Sequence, residues 1–138
     1  MAHLRHLALR CRDLDLSRDF YEHVIGWRFI DFRPSRGGID LTDGVSNITL
    51  LPHPAEPPRP KLEEGTEYIH FGVIVEDLAA CWRRCLAWGA EISKGDVKDR
   101  TTADPSQPPQ RSFKVLDPDG NVIDVTANRE EWRGVRVE

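Results

Sequence analysis

Three residues of this chain have the side-chain types of a metal centre: His6, His70 and Asp124. Two neutral imidazoles and one carboxylate leave coordination positions open for substrate, an arrangement that suits Fe(II). A repeat links the histidines. Residues 6–14 read His-Leu-Ala-Leu-Arg-Cys-Arg-Asp-Leu, and residues 70–78, 64 positions on, read His-Phe-Gly-Val-Ile-Val-Glu-Asp-Leu. A duplication puts the histidines at equivalent points of two similar modules. Paired modules bring equivalent points together around a pseudo-two-fold axis, so the repeat predicts that His6 and His70 face one site.

The elements that must position these residues follow the same order twice. After a first strand comes Asp13-Leu14 or Asp77-Leu78, then a helical stretch, then Gly26 or Gly89. In the first helix Leu16, Phe20, Val24 and Ile25 recur at helical spacing, with Ser17 near the start. In the second, Leu78, Cys81, Trp82, Cys85, Leu86 and Trp88 do so. Each glycine suits the left-handed position that ends a helix. Strand-like segments follow at 27–32, 38–42 and 46–51, and at 90–97, 111–116 and 121–126. Each module therefore reads β-α-β-β-β, an α+β class. Module one spans about 3–52 and module two about 66–127, within one domain of 138 residues.

Residues 52–60 hold five prolines in nine positions, which excludes helix and interior strand and predicts an extended linker over 52–65. Asp117-Pro118-Asp119-Gly120 is a turn signal joining the last two strands as a hairpin. The tail, 128–138, is charged and carries Trp132.

Strand alternation assigns the faces. Leu7, Leu9 and Cys11 oppose His6, Ala8 and Arg10; Phe71, Val73 and Val75 oppose His70, Gly72 and Ile74. Ile48 and Leu50 oppose Asn47, Thr49 and Leu51; Ile123 and Val125 oppose Val122, Asp124 and Thr126. The large apolar faces should pack under the helices. The opposite faces, with His6, Thr49, His70 and Asp124, should line a concavity to which Ala8, Arg10, Asn47, Gly72, Ile74 and Val122 contribute. Ala8 and Gly72 leave room there. His3, His23 and His53 have weaker claims; His53, in the proline linker, is the weak candidate for an acid/base. No catalytic base is fixed by a motif.

Composition bounds the partners. With 39% hydrophobic and 30% charged residues the chain reads as a soluble globular domain. A net charge of −4 gives no global pull toward nucleic acid or anionic membrane, and no apolar run reaches the ~20 residues of a membrane span. The N-terminus lacks the pattern of a secretory signal. Cys81 and Cys85 sit four apart on one helix face, ~5–6 Å between Cβ atoms, beyond the ~3.8 Å of a disulfide. Reduced, buried thiols in a cytoplasmic protein are the expectation.

Taken together, these features resemble the vicinal oxygen chelate superfamily: glyoxalase I, extradiol dioxygenases, methylmalonyl-CoA epimerase and the fosfomycin and bleomycin resistance proteins. The resemblance is carried by His6-Leu-Ala-Leu with Asp13-Leu14, Ser17-Arg-Asp-Phe20-Tyr21, Ile25-Gly26-Trp27, His70-Phe-Gly-Val with Asp77-Leu78, and Asp117-Pro-Asp-Gly-Asn-Val-Ile-Asp124-Val. It covers roughly 3–127. It implies paired βαβββ modules forming an open, incomplete barrel around a divalent metal, either Fe(II), Mn, Ni or Zn. The ligand slots of the family fall on His6, Thr49, His70 and Asp124, with Thr49 near the fourth position. Thr49 stands where glyoxalase I has glutamate. Asp124 stands where glutamate is usual, its oxygens ~1.5 Å short of that position.

The resemblance implies a metal-dependent enzyme acting on a small substrate with two neighbouring oxygens. The three ligands fit extradiol-type oxygenation best, and glyoxalase-like lyase or isomerase chemistry less well. The alternative is a metal-free protein that sequesters a small molecule in the same cleft, as bleomycin resistance proteins do. A homodimer is expected, covering open sheet edges, with Trp132 or the proline linker docking on a neighbour.

Overall fold

A computed structural model of the chain describes residues 4–53, 70–95 and 107–134. The chain divides into two compact units, residues 1–61 and 62–138. In unit one β1 (His6–Cys11) leads into α1 (Leu14–Phe20), which continues as a wider π turn, Tyr21–Ile25. Strands β2 (Arg28–Phe32), β3 (Ile39–Thr42) and β4 (Asn47–Pro52) follow. Unit two repeats the order with β5 (Phe71–Ile74), α2 (Leu78–Trp88), β6 (Ile92–Lys94), β7 (Ser112–Leu116) and β8 (Val122–Thr126). Each unit is a βαβββ module. The sheet orders are β1-β4-β3-β2 and β5-β8-β7-β6, with the first strand of each unit parallel to its last.

The repeated Asp-Leu has a local cause. Asp13 caps α1 by accepting a hydrogen bond from Leu16 N at 3.0 Å, and Asp77 caps α2 by accepting from Ala80 N at 2.9 Å. Both aspartates sit in extended backbone at nearly the same angles. The caps set the phase of each helix. Ser17, Phe20, Tyr21 and Val24 are buried in the first, and Leu78, Cys81, Trp82 and Cys85 in the second. Both sets follow the i, i+3, i+4, i+7 rule of one helical face. Leu16, expected on that face, is 45% exposed because it lies one position off it, and the small Ser17 is buried instead. Leu86 is exposed for the same reason.

The helices end where glycine permits positive φ, +90° at Gly26 and +83° at Gly89. At Gly26 the wider turn makes both Gly26 N and Trp27 N donate to Tyr21 O, and the Tyr21 ring stacks on Trp27 at 4.9 Å.

Leu9, Cys11, Ile39, Leu41, Ile48 and Leu50 form the sheet side of the core of unit one; Phe113, Val115, Ile123 and Val125 do so in unit two. Trp82 meets Phe113 edge-on at 5.1 Å. Among the described residues Cys11, Cys81 and Cys85 are buried thiols outside any disulfide. Each apolar sheet face is thus the helix-packed one, and His6 and Asp124 lie on the opposite faces.

The β7–β8 hairpin explains the Asp-Pro-Asp-Gly-Asn motif. Asp117, 5% exposed, accepts from Asp119 N, Asn121 N and Asn121 Nδ2 at 2.7–2.9 Å, and Gly120 takes φ +81°. This turn fixes the register that sets Lys114 opposite Asp124. The strand expected at 90–97 is shorter, Ile92–Lys94, with a register shift against β7; positions 96–97 and most of the 52–65 linker lie outside the described residues.

Asp13→Ala and Asp77→Ala should each lower stability by about 1 kcal/mol, the usual worth of an N-cap. Urea denaturation measures it. An unchanged midpoint in either variant would contradict the cap as the reason for the repeated aspartate.

Candidate functional site

In unit one His6 opens β1 and stands opposite Asn47 on β4. His6 Nδ1 lies 2.7 Å from Asn47 Oδ1. Thr49, 1% exposed, faces Asp40 across β3–β4 and donates to its Oδ1 at 2.7 Å. Arg33 donates from Nε to Asp40 Oδ1 at 3.2 Å and from Nη2 to Thr49 Oγ1 at 3.1 Å. Burial pushes the Asp40 carboxyl up, but hydrogen bonds from Thr49, Asn47 and Arg33, with the Arg33 charge, outweigh it and hold the group below its ordinary value.

The order of donors along this network assigns a tautomer. A carboxylate only accepts, so Asn47 turns its amide N–H₂ to Asp40 and its oxygen to His6. That oxygen in turn requires a proton on His6 Nδ1. The lone pair of neutral His6 is then on Nε2, the atom available to bind a metal or take a proton.

Asp40 was not singled out in the sequence. The alternation that places Ile39 and Leu41 inward leaves Asp40 on the same face as Thr49, and that signal was present. Thr49, expected near a fourth metal position, is engaged with Asp40 and Arg33. Ala8 and Arg10 are exposed, and Arg10 donates to Pro52 O. His53 continues the ladder through its backbone bond to Cys11 O. At about 3.3 Å per residue it is roughly 20 Å from His6 along the strand pair, so unit one does not bring these two histidines together. His23 bonds Asp19 on the surface of the helical segment, and His3 lies outside the described residues.

In unit two His70 immediately precedes β5, and Asp124 on β8 stands opposite Gly72. His70 Nε2 is 4.0 Å from Asp124 Oδ2, with the side chains 31% and 14% exposed. Two buried atoms there, His70 Nδ1 and Asp124 Oδ1, make no hydrogen bond, while both residues interact with further neighbours. Ile74 and Val122 are half-buried. Lys114, only 4% exposed, is the direct cross-strand neighbour of Asp124. Sequence reasoning missed it because the faces of the 111–116 strand were not assigned.

The pair stands slightly wide for a shared ion. Two donors each about 2.1 Å from one metal are about 3.4 Å apart at a tetrahedral angle and about 3.0 Å apart at a right angle, so the 4.0 Å gap would have to close by roughly 0.6 Å for both to bind. His70 and Asp124 are two of the three expected ligands. Among the described residues no group of three His, Cys, Asp or Glu forms a metal cluster. A cavity of about 500 Å³ lined by Leu78, Gln110, Arg111, Ala127, Asn128 and Glu131 lies beyond the β5–β8 pair and includes neither His70 nor Asp124.

Gly72 was expected to leave room on the site face. That room is taken: a Cβ there would stand 2.4 Å from Trp132 Cζ2. Trp132 packs within its own unit.

Sequence comparison agrees with this architecture. The Glyoxalase/Bleomycin resistance protein/Dioxygenase superfamily model matches residues 3–125, and the chain belongs to that family. A lactoylglutathione lyase of Haemophilus influenzae is 29% identical over 94% of this chain and 96% of its own length. The glyoxalase domain-containing protein RDO1 of Mycosarcoma maydis is 28% identical, over 92% and 69%. Among solved structures, the cassette protein VPC_CASS1 from the mobile metagenome of V. pseudocholerae is 28% identical with a TM-score of 0.61, over 91% and 94%.

Asp40→Asn should lower stability at neutral pH and flatten its acid limb. The folded carboxyl is held below the unfolded value of ~3.9. Its contribution is therefore complete above about pH 4 and is lost as pH falls through the lowered value. Thermal unfolding of both proteins from pH 7 downward should show their curves converging in acid. A gap that stays constant with pH would contradict the assignment.

Proposed function

We propose that the chain is a divalent-metal-dependent enzyme of its superfamily, acting on a small substrate with two neighbouring oxygens. His70 and Asp124 are two of the ligands and His6 is the third, with Thr49 near the fourth position. The observation that supports this reading is the approach of His70 Nε2 to Asp124 Oδ2 on the sheet face turned away from α2. The repeat adds His6, whose Nε2 lone pair is kept available by the hydrogen bond its Nδ1 makes to Asn47. A divalent ion bound there would supply Lewis acidity to the two substrate oxygens, or a platform for oxygen.

The residues contribute in distinct ways. Asp40 and Asn47 hold the His6 ring and its tautomer. Lys114 places a cation beside Asp124, where it stabilises the carboxylate and attracts an anionic substrate. Similarity to a lactoylglutathione lyase favours glyoxalase-like lyase chemistry as the first activity to assay; the two-histidine, one-carboxylate set favours extradiol oxygenation as the second.

Lys114 also favours a specific second reading. A buried ammonium directly across from Asp124 can balance that carboxylate without a metal, as a metal-free binding protein would require.

Metal analysis of protein purified without chelator separates the two readings. About one equivalent in wild type, lost in His70→Ala, is the expected result; undiminished metal in that variant rules this site out. Asp124→Glu should tighten binding, because the added methylene reaches toward the usual glutamate position. Weaker binding would mean the strand is already adjusted to aspartate.

The assembly proposed is a homodimer. β2 is the edge of its sheet and exposes Ile30 and Phe32, apolar side chains of the kind that edges cover by pairing or docking. Light scattering at tens of micromolar should give twice the 15.8 kDa chain mass; a monomer mass contradicts it.

A further inference from the structure

The tail of unit two carries an aromatic ring back onto the site face of its own sheet. Three hydrogen bonds build the return. Thr126 Oγ1 accepts from Asn128 N at 3.0 Å, Asn128 Oδ1 accepts from Glu130 N at 3.0 Å, and Asn128 Nδ2 donates to Glu131 Oε2 at 3.2 Å. A backbone bond from Glu131 N to Asn128 O closes the turn. Trp132 follows at once. Its six-membered ring lies so close to Gly72 that a Cβ at that position would meet Cζ2 at 2.4 Å and Cη2 at 2.5 Å.

Gly72 is a meeting point of the candidate site. It pairs directly with Asp124 on β8. It also shares a strand face with His70, two residues before it, about 7 Å along the strand. The indole edge therefore lies over the strand that pairs directly with Asp124. Any side chain at position 72 would push the ring away, so the absence of a side chain there is what admits Trp132. The ring is only half-buried. It has surface left to meet a ligand, whereas Trp82 has 2% exposure and Trp27 is stacked on Tyr21.

We propose that Trp132 is the aromatic wall of the ligand site in unit two, and that it selects a planar, π-faced ligand which stacks on the indole while its polar head meets His70 and Asp124. This specificity rests on the reading that His70 and Asp124 form the working face. Thr126 and Asn128 are positioning residues, since they act only by holding the turn that delivers the ring. An indole on a sheet face does not by itself imply a ligand. What distinguishes a wall from a hydrophobic cap is selectivity for ring shape, because a cap would treat a flat ring and a puckered one alike.

Three probes share one two-oxygen head and differ only in what it carries: acetohydroxamate, benzohydroxamate and cyclohexanecarbohydroxamate. Calorimetric titration of Zn(II)-loaded protein measures all three. Wild type should bind benzohydroxamate more tightly than the cyclohexane analogue. Trp132→Leu keeps apolar bulk but removes the ring, so it should weaken benzohydroxamate by about tenfold. The same variant should leave acetohydroxamate and zinc stoichiometry unchanged. Trp132→Phe should restore most of the preference for the flat ring. If Trp132→Leu weakens the flat and puckered ligands equally, or tightens both, the stacking wall is overturned while the metal reading stands. If acetohydroxamate fails to bind zinc-loaded wild type, the two-oxygen site fails, and the proposal resting on it fails too.

Discussion

A parallel strand pair cannot be closed by a tight turn, so the chain between its members must cross over the sheet. In each unit that crossover contains a helix and two antiparallel strands, and it returns the last strand to the side of the first. The parallel pairs β1–β4 and β5–β8 are what the rest of the structure serves. They put His6 beside Asn47, Ala8 beside Thr49, and Gly72 beside Asp124, though these partners lie 41 to 52 positions apart in sequence. The helix caps start each crossover at a fixed residue. The Asp117 turn fixes the return of β8, so that its carboxylate shares a face with His70 rather than with Val125. A slip of one residue in that hairpin would send Asp124 into the core.

The two units share this frame but not its charges. In unit one the last-strand position is the neutral Thr49, and the carboxylate is on the next strand, at Asp40. In unit two the last-strand position is Asp124, and the next strand carries the cation Lys114. Each carboxylate nevertheless has a basic partner nearby, Arg33 for Asp40 by direct bonds and Lys114 for Asp124 by strand pairing. A carboxylate on a partly buried sheet face is costly unless it is compensated, and the units meet that requirement by different routes. The difference has a chemical consequence. The Asp40 carboxylate is engaged by Thr49, Asn47 and Arg33, whereas Asp124 faces His70 at 4.0 Å.

Much of this frame was legible in the sequence because period-2 and helical patterns depend on local spacing. The 64-residue repeat gave both modules, the alternation put His70 and Asp124 on one face, and the glycines marked both helix ends. Leu16 was placed on the buried face by its hydrophobicity and its spacing to Phe20, whereas the face that packs runs through the small, polar Ser17. Asp40 and Lys114 escaped for a different reason. Their importance comes from which strand lies next to β4 or β8, and the order of strands in a sheet is not written in any one strand. Trp132 was read as a group for a neighbouring molecule since a charged tail gives no sign of turning back. The turn depends on Asn128 finding Glu130 N and Glu131, a pattern recognisable only once the end of β8 is known.

Gly72 joins these strands of reasoning. By sequence it is a small residue two positions after a histidine, equivalent to Ala8. In the fold the two positions diverge: both are exposed, but only at Gly72 would a Cβ run into a side chain, the Trp132 ring. Changing the repeat from alanine to glycine is a difference of one methyl group. On a flat strand, that methyl decides whether an indole can reach the sheet beside Asp124. The duplication supplied two similar faces, and a missing Cβ lets the tail finish only one of them. The asymmetry of charge and the asymmetry of cover therefore fall on the same unit, the one where His70 and Asp124 already approach each other.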